Sequence, residues 1–361
     1  MTRLPAWAEI GLLPLINLAL ALAVAAGVIL MVGEDPVAAL TVMVQGAFVY
    51  EGSIGYTLYY ATNFVFTGLA VAVAFQARLF NIGAEGQAYL GGLGAVVVAV
   101  ALAPWLPGLV VIPLAVAGAA LFGAAWAAIP GWLQAYRGSH IVITTIMFNF
   151  IAAGLMVALL SGPLRRAGQP NPESPVLDTA SRLPFVHDVL RGLGIDAATS
   201  PLNLSILIAL AAAIGVWVLV WRTRWGYALR ALGQSEPAAV YAGIKVRRLV
   251  VAAVALSGAL AGLMATNAIL GAEGKVVINF TSGYGFTGIA VALMGRAHPL
   301  GVILAALLFG ALYQGGTELD FEFETITREM VVLVQGLIIF FSGALALMFV
   351  PWLERRLARR R

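Results

Sequence analysis

Long apolar runs alternate along this chain with short polar or glycine-rich connections. A helix that crosses a bilayer takes about 20 mostly apolar residues. Runs of that kind fall at about 10–32, 57–77, 84–104, 108–130, 140–162, 201–221, 249–270, 284–295, 299–316 and 329–351. The run at 284–295 is short and flanked by glycine, so nine spans stand open beside ten. The first run is longer than the roughly 7–15 apolar residues of a signal-peptide core, and reads as an anchored helix. The pattern predicts an all-α polytopic transmembrane bundle of about ten spans.

Two connections are longer than turns. Residues 163–200 carry Pro163, Pro170, Pro172, Pro175 and Pro184, and read as a polar outer loop ahead of Pro201. Residues 222–248 form an inner loop of different composition, and an amphipathic piece at 36–47 is expected at the outer face. No composition shift or low-complexity tract divides the chain, so residues 1–361 read as one domain.

Composition sharpens the picture. The 361 residues are 61% hydrophobic and 11% charged, with a mean hydropathy of +0.95. Soluble domains carry roughly a quarter charged residues, so a water-facing enzyme, a disordered chain and a nucleic-acid binder are excluded despite a pI near 9.5. There is no cysteine, hence no disulfide framework or thiolate chemistry. Three scattered histidines, His140, His187 and His298, offer no metal site, and no cofactor is expected.

Charge then orients the chain. With ten spans and the N-terminus inside, the inner segments collect Arg3, Arg78, Arg137, the loop from Arg222 to Arg248, Arg296 and the Arg355–Arg361 tail, fifteen of the 21 basic residues. Acids gather outside, as at Glu318, Asp320, Glu322 and Glu324. The positive-inside rule places both termini in the cytoplasm. Phe66–Val73 (FTGLAVAV) nearly repeats as Phe286–Leu293 (FTGIAVAL), each followed by an inner-boundary arginine. Duplicated transporters often keep inverted repeats, but this topology runs both segments the same way.

Few polar groups interrupt the spans. Asn81, Glu85 and Gln87 lie just inside the cytoplasmic end of the third run, among Gly83, Gly86, Gly91, Gly92 and Gly94. Ionisable side chains within a membrane usually face the bundle interior or a water path, and glycines let another backbone approach. The segment reads as pore-lining or gating, or else Glu85 pairs with Arg78 and the amides bond between helices. Thr145 and Asn149 offer hydrogen bonds along one face of the fifth run, beside Thr144; threonines there also bond their own backbone. Asn267, Gln314 and Gln335 are weaker candidates.

The inner loop holds a second pattern. Ser235 can cap a helix whose first turn holds Glu236 and Pro237, with Gly243 to close it. That makes a turn and a half from Pro237 to Ala242, with Ala238, Val240 and Tyr241 uncovered. It is either an ordinary basic loop or a docking helix for a cytoplasmic partner.

Three stretches, Leu79–Gln87, Gly226–Gly243 and Gly283–Arg296, carry a resemblance that extends over nearly the whole chain. It resembles the membrane subunit of bacterial ABC importers for nucleosides and simple sugars, and the NIGAEGQ form is most similar to the nucleoside branch. The resemblance implies that Gly233, Ser235, Glu236, Pro237, Ala238, Tyr241 and Gly243 form the coupling helix that docks on an ATPase subunit. It also implies a second, related but heterologous permease, an extracytoplasmic substrate-binding protein docking on 163–200 and 317–326, and residence in the bacterial inner membrane. No Gly-x-x-x-x-Gly-Lys-[Ser/Thr] is present, so ATP hydrolysis would belong to a separate subunit and the chain is not expected to be an enzyme. The alternative is an ion-coupled secondary transporter acting alone, which calls for charged residues near the bilayer midplane; the central thirds of these spans almost lack them.

Overall fold

A backbone in hydrocarbon has no water to bond it and must pair its own N–H and C=O groups, which favours helices. The computed structural model describes residues 13–344, and its regular elements are helical. They are α1 (Leu13–Val32), α2 (Pro36–Phe48), α3 (Ser53–Gln76), α4 (Ala84–Leu102), α5 (Gly108–Arg137), α6 (Ile141–Ser161), α7 (Val186–Gly192), α8 (Ser205–Arg222) and α9 (Arg224–Gln234). Then come α10 (Glu236–Tyr241), α11 (Val246–Gly262), a π-helical stretch (Thr266–Glu273), α12 (Tyr284–Met294), α13 (Pro299–Glu322) and α14 (Arg328–Ala344). Among the described residues, β pairing is confined to two isolated bridges, Glu173 to Val277 and Phe185 to Asn203.

Seven described helices are long and apolar enough to cross a membrane: α3, α4, α5, α6, α8, α11 with its π extension, and α13. An eighth counts if α1 and α2, bent by 118° at their junction, make one span. The bend is local chemistry: Asp35 Oδ1 accepts from Val37 N at 2.8 Å and Pro36 opens α2, so a new helix starts there. This falls short of the ten expected spans. The run at 284–295 folds as an 11-residue helix, α12, about 16 Å long at 1.5 Å per residue and too short to span. The run at 329–351 continues outside the described residues, as does the start of the run at 10–32 and the Arg355–Arg361 tail. Elsewhere helices outrun their apolar stretches: α13 carries on through Glu318 and Asp320 because Leu319 is buried and Gln314 Nε2 donates to Glu318 Oε1 at 2.9 Å.

The contacts gather the chain into two units. In the first, residues 1–57 with 311–361, Ala21, Ala25 and Ile29 of α1 form an apolar cluster with Met43, Leu319, Val331 and Val334. Gln335 Nε2 there donates to Leu312 O at 3.1 Å.

In the second unit, residues 58–310, α4 is buried on nearly every side, as expected of a helix apolar all round. Its neighbours α5 and α11 approach through glycine. A Cβ on Gly91 would overlap the Gly262 backbone, one on Gly94 the Gly118 carbonyl, and one on Gly123 the Gly258 carbonyl. The two similar octapeptides also meet: Gly68 of α3 packs on Val291 of α12, and Gly288 of α12 on Thr67 of α3.

The 163–200 segment is tied to the end of the π stretch. Ser174 N donates to Val276 O at 3.0 Å, Leu177 N to Gly274 O at 2.7 Å, and Leu183 N to Leu270 O at 2.8 Å. Glu173, with a side chain 8% exposed, takes Lys275 Nζ at 2.6 Å and Arg166 at 3.3 Å. The hydrogen bond from Lys275 holds its carboxyl below the ordinary value of 4.5 against the opposing pull of burial, and Arg166 adds to the lowering.

Two outcomes follow from this packing. Gly91→Leu forces α4 and α11 apart and lowers stability by about 1–3 kcal/mol, read as a fall in the melting temperature of detergent-purified protein. Gly154→Ala and Gly215→Ala, where a Cβ meets nothing within 4 Å, do not lower it, since alanine is the better helix former. For Glu173 the folded pKa lies below the unfolded one, so its tie is fully present above the unfolded value and is lost as pH falls through the folded value. Proteolysis of the 163–200 segment should therefore accelerate below about pH 4, and Lys275→Met should raise it already at pH 7 and flatten the pH dependence.

Candidate functional site

The amide-rich NIGAEGQ segment folds as the entry into α4, where the first four N–H groups of a helix have no partner within it. Side chains from around the segment supply partners. Asn81 Oδ1 accepts from Gly83 N at 2.9 Å, and Asn149 Oδ1 of α6 accepts from Gly86 N at 2.9 Å while its Nδ2 donates to Ile82 O at 2.9 Å. Thr145 Oγ1 accepts from Ile82 N at 3.3 Å and donates to Ile141 O at 2.8 Å, a bond to its own helix four residues back.

Asn81 and Gln87 face each other in a doubled amide pair. Asn81 Nδ2 donates to Gln87 Oε1 at 3.0 Å, and Gln87 Nε2 returns to Asn81 Oδ1 at 3.1 Å. Asn81 Nδ2 also reaches Ser257 Oγ of α11 at 2.8 Å, and Ser257 donates to Ala70 O of α3 at 2.6 Å. These bonds link the entry of α4 to both α3 and α11.

Glu85 points the other way. Its Oε1 accepts from Thr281 Oγ1 at 2.5 Å and Gly283 N at 2.9 Å, and its Oε2 from Gly285 N at 2.7 Å. Gly283 is the N-cap of α12, in the left-handed region with φ 78°, so the carboxylate of one helix caps another. Arg78 is not among its partners. A Cβ on Gly285 would overlap the backbone of Ala84 and Glu85, so the starts of α4 and α12 lie against each other. Each helix N-terminus carries about half a positive charge, and the Glu85 side chain lies where the two meet.

All five residues singled out along the spans, Asn81, Glu85, Gln87, Thr145 and Asn149, are therefore brought to one buried junction. Ser257 and Thr281 complete it and were not foreseen. Thr281 lies in a turn-rich stretch outside any apolar run, and Ser257 is one hydroxyl in an alanine-rich helix, so neither stood out. A second buried network also escaped notice apart from Asn267. Asn267 Nδ2 donates to Asn63 Oδ1 and to Tyr59 O, both at 2.9 Å, while its Oδ1 accepts from Asn203 Nδ2 at 2.9 Å and Ser205 Oγ at 2.8 Å. The π-helical stretch starts here, and such irregular turns gather at functional positions. Asn63 carried the same signal as Asn149, an amide within an apolar run.

The inner-loop residues lie elsewhere in the second unit. Thr223 Oγ1 accepts from Gly226 N at 3.1 Å and starts α9, whose Leu229 and Leu232 are buried. Gly233 sits against the Gln76 carbonyl at the end of α3, where a Cβ would not fit. Ser235 Oγ then accepts from Ala238 N at 3.4 Å, Glu236 and Pro237 open α10, and Gly243 closes it with φ 77°. Ala239 is buried and holds α10 down; Tyr241 is 96% exposed and Val240 58%, with Ala238 exposed beside them.

Comparison with known proteins agrees in kind. Residues 53–343 match the family model described as branched-chain amino acid transport system, permease component. A guanosine ABC transporter permease of Bacillus subtilis is 35% identical over 341 residues, 94% of this chain and 95% of that protein. A glucose ABC transporter permease of Haloferax volcanii is 33% identical over 337 residues, 93% and 88%. A nucleoside ABC transporter permease of Lactococcus lactis is 33% identical over 333 residues, 91% and 90%.

If Glu85 joins the two helix starts, Glu85→Gln turns an amide NH₂ toward backbone donors and leaves a buried N–H without an acceptor, at a cost of about 1–3 kcal/mol. The melting temperature should fall, with Thr281→Val milder, since it removes one donor and leaves both helix-start bonds. A melt of Glu85→Gln equal to wild type would show that the carboxylate is dispensable to the junction.

Proposed function

The chain belongs to the family of branched-chain amino acid transport system permease components, and from that membership we propose that it is the permease subunit of an ATP-driven importer of nucleosides or simple sugars. The observation that carries the coupling part is α10. A six-residue helix with its own cap, closed by a left-handed glycine and seated through Gly233 on the end of α3, turns Val240 and Tyr241 outward. An exposed apolar pair on a rigidly held short helix suits the helix-in-groove mode of partner binding. The partner is a cytoplasmic ABC ATPase, and Gly233, Ser235, Glu236, Pro237, Ala238, Tyr241 and Gly243 form the coupling element. The guanosine, nucleoside and glucose permeases named above support the cargo class.

In this reading the chain lies in the bacterial inner membrane with both termini cytoplasmic, acts as one permease domain, and forms the translocation path with a second, related permease. An extracytoplasmic binding protein delivers substrate to the outer face. The path runs beside the junction of Asn81, Glu85, Gln87, Thr145 and Asn149. Each has its partners within the chain, so these residues act on the path by fixing where the helices that flank it sit. Movement of α10 reaches the junction by a short route: Gly233 rests on Gln76, and the chain runs from there to Asn81 in five residues. Closure of the ATPases would thereby shift the start of α4, giving alternating access.

The test is reconstitution in liposomes with the ATPase and binding-protein subunits, following radiolabelled nucleoside uptake and ATP turnover. Uptake should require ATP and the ATPase, and Glu236→Arg with Tyr241→Asp should abolish both uptake and ATPase docking while leaving the melt unchanged. Uptake by this chain alone, indifferent to the double substitution, would sink the importer reading. ATP-coupled uptake of a sugar in place of nucleosides would correct only the cargo.

A further inference from the structure

At the end of the second unit where α3 and α5 finish and α11 begins, a cavity of about 1010 Å³ opens beside α10. Arg78, Lys245, Arg247 and Arg248 line it, with Gln134 and a single acid, Glu236. None of the four cations takes part in an ion pair among the described residues; those pairs involve Arg166, His187 and Lys275. Arg247 lies over the Tyr136 ring at 5.7 Å, and both residues line the cavity. Four cations gathered around one acid repel one another unless an anion sits among them.

A second feature adjoins the first. A groove of about 360 Å³ is lined by Trp225, Ala228, Ile244, Leu249 and Ala252, and it shares Lys245 and Arg248 with the basic cavity. Those two side chains therefore divide an anion-seeking space from an apolar slot. Leu249 and Ala252 are successive positions on one face of α11, a helix long enough with its extension to cross the bilayer. Trp225 lies at the start of α9, and tryptophan favours the headgroup level of a membrane.

We propose that this two-part site holds one anionic phospholipid, its phosphate between Lys245 and Arg248 and an acyl chain in the groove along Leu249 and Ala252. A free phosphate fits poorly, because it leaves the groove empty and most of the cavity to water at roughly 30 Å³ per molecule. Basic pockets beside spanning helices at the cytoplasmic face suit lipid headgroups. The inference rests on the orientation proposed above only in assigning the lipid to the cytoplasmic leaflet. It gives the base of α10 a lipid contact, so that membrane composition bears on how firmly the coupling helix is seated.

The experiment is native mass spectrometry of the full chain in neutral detergent, offered phosphatidylglycerol or phosphatidylcholine at equal mole fraction. One phosphatidylglycerol should be retained with a preference of roughly thirtyfold, as two interfacial cations at about 1 kcal/mol each would give. Lys245→Gln with Arg248→Gln should remove that preference, and Arg222→Gln with Arg224→Gln, an equal charge change outside the site, should keep it. Ala252→Trp, which fills the groove and keeps every charge, should also release the lipid. Equal retention of the two lipids, or preference surviving in both Lys245→Gln/Arg248→Gln and Ala252→Trp, overturns the proposal. So does displacement by millimolar inorganic phosphate, which would make the site one for free anions. Loss of ATPase binding in Lys245→Gln/Arg248→Gln with lipid retention unchanged also overturns it and gives the surface to the protein partner. Should that double variant fail to fold, the wild-type preference and the Ala252→Trp arm decide. No arm needs substrate or transport, so failure here leaves the importer reading standing, and failure of that reading leaves this one.

Discussion

Two helix starts pressed together inside an apolar bundle create an electrostatic problem, and the Glu85 carboxylate is its solution. The first turns of α4 and α12 each expose amide donors, and the glycine at 285 brings the two backbones into contact. Without an acceptor, those N–H groups would be buried and unpaired, and two positive helix ends would face each other. Glu85 accepts from Gly283, Gly285 and Thr281, so one side chain satisfies donors on the partner helix. This fixes where α12 begins.

The remaining amides extend the same logic. Asn149 and Thr145 satisfy the backbone at Ile82 and Gly86 from α6, while Asn81 and Gln87 bond each other and reach α11 through Ser257. In lipid the hydrophobic effect gives helices little reason to associate, so small residues and buried hydrogen bonds carry the packing. Both are found here: glycine against glycine along α4, α5 and α11, and a connected polar junction at the start of α4. Such a junction is high-stakes, since a network with one member missing is worse than none.

These features bear on transport in a definite way. A path between packed helices must change shape when energy arrives, and a bundle of close-packed helices transmits displacement better than it absorbs it. In the proposed coupling, the exposed face of α10 is where the ATPase acts. Gly233 packs on the carbonyl at the end of α3, and the five residues beyond lead into the polar junction. The scarcity of polar groups along the spans suits the proposed division of labour, in which a binding protein recognises the substrate.

The sequence by itself determined that this is a membrane-spanning helical protein, because the apolar runs have bilayer length and 11% charge cannot cover a soluble surface. It also determined the short capped helix of the inner loop, since caps and glycine stops are local signals; the structure moves that helix by one residue. It marked Asn81, Glu85, Gln87, Thr145 and Asn149 as unusual, because an amide or carboxylate in an apolar run must find a partner. It did not say which partner. Glu85 to Gly283 is 198 residues apart and Asn81 to Ser257 is 176, and no periodicity encodes such pairings. Nor did it decide which apolar run crosses: the stretch at 284–295 is hydrophobic enough, yet its start is held by Glu85 and it ends after three turns. Tertiary contact decided those matters, because a buried donor is satisfied by whatever acceptor the packing brings to it, and packing is a property of the whole chain.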